Sequence, residues 1–274
     1  MKHVTIWGHN CKWYHKILNF FILNSLSLSA RTILWILGWK IFYNNSSNKN
    51  KIVPAQSLKN ILKHKNLVCV SAHTSVWDGI IILLYILRDK VPTTGAAKYE
   101  LFRGFGKYVL NYLGMVPIYW DRKANTTQQI INHFKNCESN NLYLGIFPEG
   151  SRWKDRWRSG FWHIAKELNC NILTLGLDYQ KHYIIPNTII TPSNNFQNDL
   201  TIVKEQLYPF VPLYPEHTDL ITRLNDNKRL CLTKSGNMLV YSSKKKIICK
   251  SFNTKNMKLL FSLSLTVFLI HYIL

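Results

Sequence analysis

Two segments of this chain place side chains suited to proton transfer and phosphate binding at the ends of short apolar runs. In the first, SAHTSVWDGIIILLYILR, four residues separate His73 from Asp78. Histidine takes up and releases protons near neutral pH, and a carboxylate beside it holds the ring and favours its charged form. Spacing alone does not join the pair, because on one continuous helix positions five apart point roughly 140° away from each other. A turn from strand to helix supplies the missing bend. A plainer role competes with this one: Asp78 or Ser75 can simply cap the helix that starts here.

The second segment, LGIFPEGSRW, ends an apolar run at Phe147 and continues through Pro148, Glu149, Gly150, Ser151 and Arg152. Glycine lets the backbone approach a ligand closely, and arginine presents a planar fork of donors matched to phosphate oxygens. Either segment alone is an ordinary turn. Their order is more informative, with a histidine–aspartate turn followed about seventy residues later by a phosphate-suited one, both at strand ends.

Such turns need elements to hold them. Leu67–Ser71 reads as a strand, Gly79–Arg88 as a helix, Val116–Tyr119 and Leu142–Phe147 as strands, Phe161–Leu168 as a helix and Ile172–Leu177 as a strand. Strands interleaved with helices predict an α/β fold: a mixed, largely parallel sheet flanked by helices, with catalytic residues in loops beyond strand ends. A chain of 274 residues with 47% hydrophobic content suits one such domain with modest terminal additions.

On these residues the chain resembles the glycerolipid acyltransferase family, which includes the lysophosphatidic acid acyltransferases. His73 and Asp78, with the hydroxyl-bearing Ser75, match the first motif, a histidine followed after four residues by an aspartate. Phe147, Pro148, Glu149, Gly150, Ser151 and Arg152 match the Phe-Pro-Glu-Gly-(Ser/Thr)-Arg motif in full. Between them, Lys98, Glu100, Leu101, Gly114, Pro117, Asp121 and Arg122 occupy the positions of a motif that joins a Lys-x-Glu-Leu stretch to a Gly-x-x-Pro strand and an Asp-Arg pair. RSGFWHIA, Arg158 to Ala165, is similar to the helix start that follows in many members. The resemblance spans approximately residues 55–210. Two places depart from the pattern: Tyr119 and Trp120 precede the Asp-Arg pair, and Thr174 stands where a later strand usually has proline.

The resemblance implies an O-acyltransferase that moves a fatty acyl group from a thioester, acyl-CoA or acyl-carrier protein, to the hydroxyl of a glycerol-phosphate-type acceptor such as lysophosphatidic acid. His73 would act as general base and Asp78 would orient it. Arg152 with Gly150, Ser151 and either Lys98 or Arg122 would grip the acceptor phosphate, and Glu149 would orient Arg152 or bind a glycerol hydroxyl. The thioester is a co-substrate, so no resident cofactor and no metal is expected. A catalytically inactive lipid-binding or membrane-shaping protein on the same fold is the alternative reading.

The formal charge of +21, from 35 Lys+Arg against 14 Asp+Glu, attracts anionic lipid, nucleotide-bearing co-substrates or nucleic acid. No zinc-finger, RNA-recognition or basic-zipper pattern supports a nucleic-acid partner. The six cysteines are scattered, which suggests a reduced, cytosol-facing domain without structural zinc. The first residues lack the order of a cleavable signal peptide.

Residues 1–50 read as an N-terminal amphipathic, membrane-facing helical segment, one or two helices that lie on a membrane surface or cover the domain, too polar for a clean bilayer span and ending in the polar run NNSSNKNK. Residues 51–215 form the acyltransferase domain, 216–256 a basic region, and 257–274 a hydrophobic tail suited to membrane anchoring. These ends imply membrane lipids as partners and an active site on the cytoplasmic side. Nothing in the sequence fixes an oligomeric state.

Overall fold

The structure, a computed structural model, describes residues 5–7, 12–45, 51–54, 66–119, 125–135, 142–150, 157–207 and 210–214, and three short strands at 228–232, 238–242 and 245–249. Its main body is an eight-stranded mixed sheet, ordered β2-β1-β8-β7-β3-β6-β4-β5. The strands are β1 (Lys40–Asn45), β2 (Lys51–Pro54), β3 (Asn66–Val70), β4 (Thr93–Lys98), β5 (Val116–Ile118), β6 (Leu142–Ile146), β7 (Asn171–Asp178) and β8 (Tyr183–Ile190). β3 pairs in parallel with β6 and β7, β4 with β5 and β6, and β1 with β8, while β1/β2 and β7/β8 are antiparallel. Strands β9 (Lys228–Leu232), β10 (Met238–Ser242) and β11 (Lys245–Cys249) pair antiparallel in a separate sheet.

Each central strand is apolar on both sides, because both faces of the sheet are covered. On β3, Val68 and Val70 point into one core layer, with Ile172 of β7 and helices α4 (Thr126–Lys135), α5 (Gly160–Glu167) and α6 (Phe196–Leu207). Leu67 and Cys69 point to the other, with Leu173 and Leu175 of β7 and helices α1 (Trp13–Ile36) and α2 (Val76–Asp89). The alternation is the two-residue period of a strand sandwiched between layers. Helical spacing serves the same end: Ile130, Ile131 and Phe134 of α4 and Phe161, Ile164 and Ala165 of α5 are the buried faces. A sixth helix, α3 (Phe105–Tyr112), lies between β4 and β5.

The α/β sheet expected from the sequence is the observed fold, but several of its strands are longer or additional. The run NNSSNKNK, expected as a linker, begins inside β1 and ends in β2, so residues 40–45 belong to the sheet rather than to the N-terminal helical segment. α1 is one helix of 24 residues, long and apolar enough to cross a bilayer by length and composition. It docks instead along α2, where Ser27 donates to the Arg88 carbonyl (2.7 Å) and Ala30 and Leu34 are buried. Asn19 donates to the Thr5 carbonyl and accepts from the Tyr112 hydroxyl, which ties the start of α1 to the end of α3.

β7 and β8 slip register between Leu173 and Leu175. Thr174 sits in that irregularity, fully buried, and its hydroxyl replaces the missing ladder bonds: it accepts from the Thr188 amide (3.0 Å) and donates to the Thr188 carbonyl (3.2 Å). Proline has no amide hydrogen, and a hydroxyl here does what proline does not. Two residues on, Gly176 faces the Phe210 ring so closely that a Cβ would overlap it. Gly176→Ala is therefore expected to destabilise the domain by about 1–3 kcal/mol through overpacking. Thermal melting of Gly176→Ala and of Gly176→Ala/Phe210→Leu checks this, with the smaller side chain restoring most of the loss.

Candidate active site

Parallel strands deliver their following loops to one end of the sheet, outside their carboxyl ends. His73 follows β3, Glu149 follows β6, Lys98 ends β4 and Tyr179 follows β7, so all four leave the sheet on the same side.

The β3–α2 turn is held together by Asp78. Its carboxylate is buried, at 1% exposure, and takes hydrogen bonds on both oxygens. Oδ2 accepts from the backbone amides of Thr74 (2.6 Å) and Ser75 (2.7 Å), and Oδ1 accepts from the Tyr179 hydroxyl (2.7 Å). Ser75 is the N-cap of α2 and its side chain accepts from the Trp77 amide (3.1 Å), so Ser75 and Asp78 form a reciprocal capping box. Helix capping and the histidine contact, set against each other on sequence alone, are both present: the residue that closes the helix start also faces His73.

His73 Nδ1 lies 3.4 Å from Asp78 Oδ2, longer than a formed N–H···O bond, and Nδ1 makes no hydrogen bond among the described residues. Catalytic hydrogen bonds in ligand-free sites are commonly loose and tighten on the substrate complex. The ring plane is fixed from the side by Phe147, stacked at 4.1 Å between centroids and 17° between planes. The His73 side chain keeps 20% of its surface exposed, which leaves it accessible while Asp78 is not.

Glu149 is fully buried, and its Oε1 accepts from the His73 backbone amide (3.2 Å). The carboxylate of the second motif therefore braces the backbone of the first, across the adjacent ends of β3 and β6. Gly150 takes a positive φ of 65°, which favours glycine, and its amide donates to the Phe147 carbonyl to close the turn. The Arg158 amide then donates to the Pro148 carbonyl, turning the chain toward α5.

Lys98 is exposed at the end of β4, two strands and hence about 10 Å from β3. Ser151, Arg122 and Arg152 lie outside the described residues. At the α2 N-terminus the Trp77 and Asp78 amides are occupied by the cap, donating to the Ser75 hydroxyl and carbonyl. The segment ILTLGLDY stands out in the sequence only for Thr174 in place of a proline, and nothing there marks Tyr179, whose partner Asp78 lies 101 positions away. A crevice with room for about one water lies behind Asp78, lined by Ser71, Ala72, Gly176, Tyr179 and Phe210.

Cys69, one strand position before Val70, is no competing nucleophile. Burial pushes its thiol up to about 12, which leaves almost no thiolate near neutral pH. Among the described residues no three His, Cys, Asp or Glu side chains converge as metal ligands would.

Residues 52–187 match the family model described as Acyltransferase, a stretch that contains the His73 turn, the Glu149 turn and most of the sheet, and the chain belongs to that family. The crystal structure of the 1-acyl-sn-glycerophosphate (LPA) acyltransferase PlsC from Thermotoga maritima is similar at 18% sequence identity. That similarity covers 68% of this chain and 77% of that one, with a TM-score of 0.47. No curated protein matches the chain.

The geometry separates two kinds of residue. His73→Ala removes a partly exposed ring and is expected to lower turnover by about 100- to 10,000-fold with the melting temperature little changed. Asp78→Ala strands two buried amides and a buried hydroxyl and is expected to cost roughly 2–4 kcal/mol of stability as well as activity. Melting curves and turnover of the two variants check the contrast; equal destabilisation would mean that His73 is a structural residue.

Proposed function

We propose that the protein transfers a fatty acyl group directly from an acyl thioester to the hydroxyl of a glycerol-phosphate-type acceptor such as lysophosphatidic acid. The observation that carries the reading is the contact of His73 Nδ1 with the buried Asp78 carboxylate, at the carboxyl ends of parallel strands within an acyltransferase-family domain.

The other ring nitrogen, Nε2, takes the acceptor's hydroxyl proton as the oxygen attacks the thioester carbonyl. Asp78 keeps Nδ1 as the protonated nitrogen and offsets the charge of the imidazolium that forms. The tetrahedral intermediate collapses, the C–S bond breaks, and the imidazolium returns its proton to the thiolate. The new ester and the free thiol balance the reaction without an acyl-enzyme, in keeping with the protonated thiol at Cys69. Arg152, Gly150 and Ser151, with Lys98 or Arg122, hold the acceptor phosphate, and Glu149 orients Arg152 while it braces His73.

Both the acyl chain and the product partition into lipid, so the enzyme works at a membrane surface, with its site on the cytoplasmic side. α1 supports this with a face of large apolar side chains that no other element covers among the described residues, Trp13, Phe20, Phe21, Leu28 and Trp35, of which Trp13 is 74% and Trp35 81% exposed. Arg31, exposed on the same helix, and the overall positive charge suit anionic headgroups. The apolar tail from Leu259 to Leu274, outside the described residues, adds a second attachment.

Incubation of the purified protein with labelled oleoyl-CoA or oleoyl-acyl-carrier protein and a panel of acceptors tests the reading: lysophosphatidic acid, glycerol 3-phosphate, lysophosphatidylcholine and monoacylglycerol. Ester formation on the phosphate-monoester acceptors is expected, and none on monoacylglycerol. Arg152→Lys should raise KM for those acceptors at least several-fold, because an ammonium cannot reproduce the bidentate fork. Equal use of monoacylglycerol would remove the phosphate from the reading. Deletion of residues 257–274 is expected to turn a detergent-requiring protein into one released from vesicles by high salt, with turnover on a short-chain soluble acceptor retained. Aggregation of that variant with loss of all turnover would place the tail in the domain core.

A further inference from the structure

Tyr179 belongs to neither of the turns that carry the family motifs, yet its hydroxyl reaches the reacting pair from the far side of the sheet end. We propose that Tyr179 is a positioning residue of the acyl-transfer site, fixing through its hydroxyl the orientation and charge of the Asp78 carboxylate that holds His73. The inference rests on the reading of His73 as the base.

The two carboxylate oxygens of Asp78 have different duties. Oδ2 takes the Thr74 and Ser75 amides and faces His73 Nδ1, so it is crowded by the turn itself. Oδ1 points the other way, and Tyr179 is its hydrogen-bond partner among the described residues. A carboxylate rotates about its terminal bond unless both ends are held. The amides fix one end and the phenol fixes the other, and rotation would carry Oδ2 off the imidazole.

Tyr179 is itself held in place. Its amide donates to the Val211 carbonyl (2.8 Å), and its ring meets Trp39 edge-on at 5.1 Å, with both rings buried. Trp39 in turn stacks on His182 at 5.7 Å and 13°. The phenol thus stands on the α1–β1 junction and the β7–β8 turn, elements that hold no part of the motifs. Burial, and then the neighbouring Asp78 charge, push its ionisation well above the ordinary range, so it stays a donor at every working pH.

Among the described residues the ionisable groups around the pair are few. The β3–α2 turn brings His73 and Asp78, and the β6 turn brings Glu149 to the His73 amide. The β7–β8 turn brings Asp178 and His182, and the segment after α6 brings Tyr214 close to Tyr179. Asp178 is turned away, its Oδ1 accepting from the Gln180 and Lys181 amides. Tyr179 is the one phenol that touches the Asp78 carboxylate among the described residues.

The test uses the full chain, with oleoyl-CoA and lysophosphatidic acid in mixed micelles, and compares wild type, His73→Ala and Tyr179→Phe. In Tyr179→Phe, kcat is expected to fall about 10- to 100-fold, the scale of one hydrogen bond to a charged group, with acceptor KM changed less than about twofold. The acid limb of the pH–rate profile should move to higher pH, because a carboxylate that has lost a donor holds a proton more strongly. A packing role moves neither the limb nor the ratio of kcat to KM. Wild-type kcat and an unmoved limb in folded Tyr179→Phe, with His73→Ala inactive, overturn the proposal and leave the His73 reading standing. Full turnover by His73→Ala overturns both. Where Tyr179→Phe does not melt cooperatively, 3-fluorotyrosine at position 179 carries the test. Its more acidic phenol is a stronger donor, so the acid limb is expected to move to lower pH, and an unmoved limb overturns the proposal.

Discussion

A carboxylate taken out of water must be surrounded by donors or lose its charge, and at Asp78 that requirement organises everything near it. Two donors are the backbone amides of Thr74 and Ser75, which forces the chain between β3 and α2 into the turn that closes the gap between His73 and Asp78. A third comes from Tyr179 at the end of β7, which ties that turn to the neighbouring strand. The turn is then braced on its other side by Glu149, whose fully buried carboxylate holds the His73 amide from the end of β6. Three adjacent strand ends thus meet at one pair of side chains, and the parallel pairing of β7, β3 and β6 is what brings them to the same edge.

That arrangement also explains how much of the site is legible in the sequence. The pair His73 and Asp78 is visible because both lie on one short segment between two apolar runs, and a strand-to-helix turn is the simplest way to bring them together. Glu149 is visible as a motif position, but its observed contact is different in kind: it reaches the backbone of His73, and no spacing rule links residues 76 positions apart. Tyr179 is invisible for the same reason, since its partner is 101 positions away and a tyrosine at a strand end is unremarked in any pattern. Capping and catalytic geometry look like rivals along the sequence and are compatible in space, because the Asp78 oxygen that accepts from the Thr74 and Ser75 amides, Oδ2, also faces His73 Nδ1.

The sheet is legible where its strands are apolar on both faces. β3, β6 and β7 read clearly because each is buried between helical layers. β4 does not, because TTGAAK carries no large apolar side chain, and its Gly95 leaves room for Met115 against the strand. β8 is obscured by Pro186 in its middle, although proline is accommodated beside the register slip that Thr174 repairs. β1 is hidden because Ile41 and Phe42 continue the apolar run of α1 while the asparagines after them read as linker, although Ile41 is buried and the strand pairs with β8 and β2. At the N-terminus, the serines and asparagines that make α1 look too polar to span a bilayer include those that bond it to the domain, Asn19 and Ser27, while its large side chains Trp13, Phe20, Phe21, Leu28 and Trp35 face outward.

The central claim is that the buried carboxylate dictates which nitrogen of His73 carries the proton in the resting enzyme. Nitrogen-15 NMR of histidine-labelled protein, with the His73 resonances assigned by their loss in His73→Gln, measures this directly. At a pH where the ring is neutral, Nδ1 is predicted to carry the proton toward Asp78, leaving Nε2 unprotonated to accept one from the acceptor hydroxyl. A neutral ring protonated at Nε2, with Nδ1 bare against the carboxylate, would contradict the account.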